Sequence, residues 1–198
     1  MKKELVFITT NKHKVKEIRE LANSESKGIT IEHLDYDYPE FQLDEIEAVA
    51  EESANYIRMH SGIKVEKPFF IEDSGLTIHS LNGFPGPFSA FVFNKIGNAG
   101  ILKLMTDKKG EARRATFKTV VAFCESPEKA PILFVGTSEG RIAKAARGEG
   151  GFGYDPIFEL ESVNKTFAEM STEEKNVVSH RGQAFRKLLD YISQVFFA

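Results

Sequence analysis

The sequence predicts an α/β fold carrying a long β-hairpin. Apolar β-branched runs alternate with helical-period segments in the first half, two strand-like runs adjoin in the second, and no repeat or linker divides them. At 198 residues the chain can bury one sizeable core, so a single domain over 1–198 is expected. "ELVFIT" is a short β-branched and aromatic run, and "TNKHKVKEIRELAN" after it places Val15, Ile18, Leu21 and Ala22 at helical spacing: a strand passing into a helix. "ITIEHL" reads as a second strand. "DEIEAVAEESANYIRMHSG" reads as a long helix with Asp44 and Glu47 as a capping pair and Gly62 as its stop. "KPFFIED" reads as a strand buried on both faces and ending in a Ser74-Gly75 turn. "LNGFPGPFSAFVFNKIGNAGILKLMTD" suggests a loop running into short helices. "ARRATFKTVVAFCES" and "APILFVGTSEGRIAKA" suggest a hairpin forming an inserted layer. Ser171 and Glu174 have capping-box spacing, and a last helix is expected from about Gly182.

Charge and cysteine usage narrow the function. A net charge of -3 gives no basic excess for binding a nucleic-acid backbone, so any polyanion must be met locally, which favours a small ligand. The sole cysteine, Cys124, sits in an apolar stretch, which excludes a disulfide framework or cysteine metal site and predicts a buried structural thiol. The apolar patch from Leu5 to Ile8 is too short for a signal peptide core or a membrane span, so a soluble, cytoplasmic protein with no membrane partner is expected.

Four stretches carry residues suited to chemistry. Thr9, Thr10 and Asn11 fall at a strand-to-helix turn with Lys14 one turn in; such a turn attracts phosphate, although capping alone also selects Thr and Asn. Glu72 and Asp73 close an apolar strand. Alternation sends them to opposite sides, so at most one is expected in a given pocket, where a carboxylate can hold a hard cation or take a proton from water; an exposed acidic turn is the bland alternative. Glu40 lies outside the helix that explains the neighbouring acids. "GEGGFGYDP" satisfies a G-x-G-x-x-G pattern, but no apolar strand leads into it and Asp155-Pro156 follows where a helix should open, so a dinucleotide-binding reading fails. It remains a turn that either presents Phe152 and Tyr154 for stacking on a flat ring or plugs them into the core. Lys175, Ser179, His180 and Arg181 crowd donors into the start of the last helix, where positive charge is disfavoured unless something anionic or oxygen-rich is near.

Taken together, "ITTNKHKVKEI", "FIEDSGLTIHSLNGFPGPFSA", "GEGGFGYDPIF" and "TFAEMSTEEKNVVSHRGQA" resemble, in order and spacing, the inosine/xanthosine triphosphate pyrophosphatase family. The resemblance implies an elongated mixed sheet flanked by helices, two lobes with a central active-site cleft, and a cytoplasmic homodimer. It also implies magnesium-dependent hydrolysis of non-standard purine nucleoside triphosphates (ITP, dITP, XTP) to the monophosphate and pyrophosphate. By position it implies that Thr9, Thr10, Asn11 and Lys14 hold the triphosphate and that Glu40 and Asp73 bind the metal. Asp73 would be the catalytic carboxylate, with Ser74 beside the nucleotide. Phe152 would stack on the base with Gly153, Tyr154 and Asp155 around it, and Lys175, Ser179, His180 and Arg181 would read the base. Thr10 stands where many members have Gly, and Phe91 where many bacterial members have Arg. A non-catalytic nucleotide-binding regulator is the alternative, and pyrophosphate release from ITP separates the two.

Overall fold

A computed structural model describes residues 3–25, 28–60 and 67–196; the expected stop at Gly62 lies outside them. The chain opens with β1 (Lys3–Ile8), α1 (Lys12–Glu25) and β2 (Ile29–Leu34), the two strands parallel and paired from Lys3↔Ile29 to Ile8↔Leu34. Val15, Ile18 and Leu21 form the buried stripe of α1, as their spacing requires. Next comes α2 (Ile46–His60), where the Glu47 carboxylate turns to the Lys118 ammonium at 2.8 Å and not back to Asp44, so the expected capping pair does not form.

The strand β3 (Phe69–Ile78) runs straight through the Ser74-Gly75 turn that the sequence suggested. It pairs antiparallel with β5 (Arg114–Cys124) residue by residue from Phe69↔Cys124 to Ile78↔Ala115, and ten continuous partners outweigh the local turn preference of Ser-Gly. Gly75 answers to a close approach instead: a Cβ there would lie 2.4 Å from the Gly86 carbonyl oxygen on β4 (Pro85–Gly86). The segment after it is α3 (Ser89–Leu104), bent at Gly97 where φ is 57°. The hairpin of β5 with β6 (Ile132–Ile142) is no separate layer but continues the sheet outward to β7 (Phe158–Leu160) and β8 (Lys165–Thr166), in the order β2-β1-β3-β5-β6-β7-β8 with β4 on β3. The C-terminal region makes two helices, α4 (Thr172–Val178), with the Ser171–Glu174 capping box formed, and α5 (His180–Phe196). The last helix thus begins two residues before the expected Gly182, which puts His180 and Arg181 inside its first turn.

Alternation along the strands supplies two cores. Leu5, Phe7, Phe70 and Phe123 face α1 and α5, while Val6, Ile8, Phe69, Ile71, Val120 and Cys124 face α2. Cys124 is buried as expected, and burial pushes its thiol up to about 12. A third core joins α3 to the outer strands through Val92, Ile101, Phe117, Tyr154, Phe158 and Phe167. Among the described residues, no helix is long and apolar enough to cross a membrane.

Candidate active site

Strand pairing leaves a gap that makes the cleft. β1 meets β3 only at Val6↔Phe69 and Phe7↔Phe70, and β4 meets it only at Leu76↔Gly86 and Thr77↔Pro85. Between them, among the described residues, no strand lies on that edge of residues 71–75. A cleft of about 870 Å³ opens there, walled by the start of α1, the 36–42 loop, the 84–94 segment, the 152–155 turn and the start of α5. Glu72 and Asp73 do point to opposite faces, yet both line this one cleft, because at an unpaired sheet edge it reaches both faces; the expectation that only one would enter a given pocket is corrected.

On the α1/α5 face Glu72 is fully buried and binds across the site. Lys14 Nζ lies 2.9 Å from its carboxylate and donates to its backbone carbonyl at 2.8 Å, capping an oxygen on the open edge. Arg181 Nη2 lies 3.3 Å away, Thr119 Oγ1 donates at 3.1 Å, and the Ser74 hydroxyl also bonds to it. Burial favours the neutral acid, but Arg181, Lys14 and the Ser74 hydroxyl together hold Glu72 well below the usual carboxylate range. On the α2 face Asp73 has, among the described residues, only the Ser74 amide at 2.9 Å as its own hydrogen-bond donor. Burial, with Glu72 and Glu40 adding to it and Lys14 opposing, raises Asp73 to about 6. Glu40 is exposed on the same cleft. The Tyr38 hydroxyl is held protonated by burial and by the field of Asp73, Glu72, Glu40 and Asp37.

At the phosphate turn Asn11 caps α1, its Oδ1 accepting from the amides of His13 (3.0 Å) and Lys14 (3.2 Å), while Thr9 Oγ1 accepts from the Asn11 amide. Those amides are therefore engaged, and the cleft is lined at this turn by Thr9, Thr10, Asn11, His13 and Lys14. His33 Nε2 lies 2.8 Å from the Thr9 carbonyl and ties the turn to β2.

The donor cluster finds its anions inside the protein. Lys175 Nζ sits 2.7 Å from both Glu17 and Asp155, and Arg181 Nη1 sits 2.5 Å from Glu17. With Glu72 and Lys14 this makes three cations against three carboxylates, so the positive charge at the start of α5 is compensated without a ligand. Lys175 and Ser179 lie behind the cleft wall: the first is locked in these pairs, and the second caps α5 by accepting from the Gly182 amide at 3.1 Å. His180 and Arg181 do line the cleft. His180 stacks on Phe117 at 4.5 Å, its Nδ1 is unpartnered, and burial plus Arg181 and Lys175 keep it neutral. Phe152 is half-buried in the cleft with its amide donating to Asp155 at 2.8 Å. Gly153 turns with φ 61° and its carbonyl accepts from Asn98. Tyr154 is a core side chain, its hydroxyl donating to the Ser89 carbonyl at 3.0 Å.

Sequence reasoning passed over Glu17. Its signal was a carboxylate three residues beyond Lys14 and one before the buried Ile18, at the border of the apolar stripe, where a charged group needs a partner.

The cleft gathers hydroxyl, amide and ammonium donors at the start of α1, the Asp73 carboxylate and the Phe152 ring, groups suited to a ligand with an anionic part and a planar part: the site of a nucleotide-handling α/β protein. The Ham1 family model matches residues 5–191, and the chain belongs to that family. It is 44% identical over 190 residues to a protein of Thermococcus kodakarensis named dITP/XTP pyrophosphatase, covering 96% of this chain and 97% of that one. A protein of the same name from Methanosarcina acetivorans is 45% identical over 190 residues, with coverage of 96% and 97%. Among solved structures, a HAM1 protein from Coxiella burnetii superposes with a TM-score of 0.81 at 32% identity, covering 98% of this chain and 100% of that one.

Proposed function

We propose that this protein is a magnesium-dependent pyrophosphatase of non-standard purine nucleoside triphosphates, cutting ITP, dITP and XTP between the α and β phosphates and so clearing them from the cytoplasmic nucleotide pool. The observation that carries the reading is Asp73, a carboxylate without a salt-bridge partner among the described residues, opening on the same cleft as the phosphate turn and Phe152. The names of the relatives support the same chemistry.

Among the described residues no group of three or more His, Cys, Asp or Glu side chains forms a metal cage. Magnesium does not need one: it takes one or two carboxylates and completes its shell with water and substrate phosphates. Asp73 and Glu40 fit that role as hard oxygen donors on one cleft, the Glu40 charge adding to the burial that disfavours ionisation of Asp73. Magnesium would neutralise charge gathering on the phosphates.

Lys14 offers its ammonium to the phosphates while Glu72 fixes it. Asp73 orients water toward the α-phosphorus and accepts its proton. Phe152 stacks on the base. Arg181 is a donor in every protonation state, whereas neutral His180 can present either an N–H or a lone pair, so discrimination between a purine C6 oxygen and the adenine amino group rests mainly on Arg181. A buried donor left unpaired by adenine costs about 1–3 kcal/mol, more when charged. We also read the protein as a homodimer, supported by the exposed apolar side chains Phe84, Phe88, Phe91, Ile96 and Leu104 on and beside α3.

Pyrophosphate release from ITP, with and without magnesium, tests the reading. Asp73→Asn should fold normally and lose roughly two or more orders of magnitude in turnover. Near-normal activity in that variant, or absence of ITP hydrolysis in the wild type, refutes it.

A further inference from the structure

His13 belongs to none of the roles assigned so far. It stands in the first turn of α1, exposed, with its backbone amide already capped by Asn11. Its imidazole makes no hydrogen bond among the described residues. It lies instead against Phe152, on the opposite wall of the cleft, with ring centroids 5.1 Å apart and planes inclined by 14°. The turn carrying Phe152 is flanked by Gly151 and Gly153, whose φ values are 69° and 61°.

We propose that His13 is the second wall of the base slot, so that the purine of the substrate is clamped between the His13 imidazole and the Phe152 ring; this rests on the substrate class proposed above. Three features carry it. The two rings come from different walls yet are nearly parallel, the geometry a flat ring needs on both sides. Stacked aromatic layers lie about 3.5 Å apart, so admitting a purine widens the plane separation to roughly 7 Å, an opening of about 2–3.5 Å. The part that must move can do so: the imidazole of exposed His13 is tied by no hydrogen bond among the described residues, so it swings aside while Phe152 stays held through the hydrogen bond of its amide to Asp155. Over the Phe152 ring the Arg181 guanidinium carbon lies 5.3 Å and Lys175 Nζ 5.4 Å from its centre, so the ring that walls the slot also neighbours the base-reading donor. One helix thus serves both ends of the substrate, Lys14 toward the phosphates and His13 over the base.

The test uses the full chain with His13→Ala and His13→Phe. Because His13 is exposed and its side chain is only stacked, both variants should fold. Removing a ring that stacks on a base should raise KM for ITP about tenfold, with a smaller change in kcat, while His13→Phe, which keeps a flat ring, should stay within about threefold of wild type. Inhibition by pyrophosphate, which has no base, should be nearly equal in all three proteins. In NMR spectra of the wild type, inosine monophosphate should shift the His13 ring protons upfield and pyrophosphate should not. An unchanged or lowered KM in His13→Ala would make the imidazole a bystander or a plug and overturn the proposal. Equal loss in His13→Phe, a parallel change in pyrophosphate inhibition, or unshifted ring protons would overturn it as well. Absence of ITP hydrolysis in the wild type would be the failure of the substrate reading, and the slot would fall with it; wild-type hydrolysis with an indifferent His13→Ala would be the failure of the slot alone.

Discussion

His180 should make the folded state sensitive to mild acid. The ring is 2% exposed, stacked on Phe117 of β5 and near Phe167 at 5.9 Å, with Nδ1 unpartnered. The charged groups facing it are Arg181 of its own helix, Lys175 of α4, Lys14 of α1 and Glu72 of β3. Burial, Arg181, Lys175 and Lys14 lower its pKa well below the ordinary 6.5, and only Glu72 opposes. The folded protein therefore holds a neutral ring over a range where the unfolded chain binds a proton. Stability from this group is complete well above pH 6.5 and declines as pH falls below 6.5, until the folded pKa is reached. One proton taken up on unfolding gives a slope of at most about 1.4 kcal/mol per pH unit, which integrates to at most about 2 kcal/mol between pH 8 and pH 5. Urea denaturation of wild type and His180→Asn at both values measures it. The variant should be less stable at pH 8, having lost the ring stack, but its further loss on going to pH 5 should be smaller, by up to about 2 kcal/mol. The carboxylates and other histidines are present in both proteins and cancel. Equal losses would refute the assignment of a neutral His180.

Glu17→Gln removes one of three carboxylates balancing three cations and leaves Lys175 and Arg181 under-compensated beside Asp155 and Glu72; breaking such buried pairs costs about 3–5 kcal/mol in denaturation experiments. A loss below about 1 kcal/mol would mean that the pairs are solvated. Gly136→Ala acts from β6, beneath α5: its Cβ would fall 2.1 Å from the His180 carbonyl oxygen and 2.5 Å from the Ala184 nitrogen, so α5 must lift. Thermal unfolding should show a loss of about 1–3 kcal/mol, and KM for ITP should rise as His180 and Arg181 shift. An alanine variant of native stability and KM would refute the close approach.

The sequence by itself determined what depends on short-range pattern. The stripe of α1, the strand runs, the β5–β6 hairpin and the Ser171–Glu174 cap were all legible, because side-chain period and capping chemistry act over a few residues. The alternation of Glu72 and Asp73 was legible for the same reason. Tertiary structure decided the rest. Ser74-Gly75 looked like a turn because its local preference is for one, and only the full ladder to β5 made it strand. The hairpin's place in the sheet, and the unpaired edge that admits both carboxylates to one cleft, depend on where β1 stops relative to β3, which no local signal encodes. The donors of α5 invited a ligand as their counter-charge, whereas Glu17, 164 residues from Arg181 in sequence, supplies much of it. Charge balance is a sum over neighbours in space, and a chain read in one dimension shows the charges without the distances that set their energy.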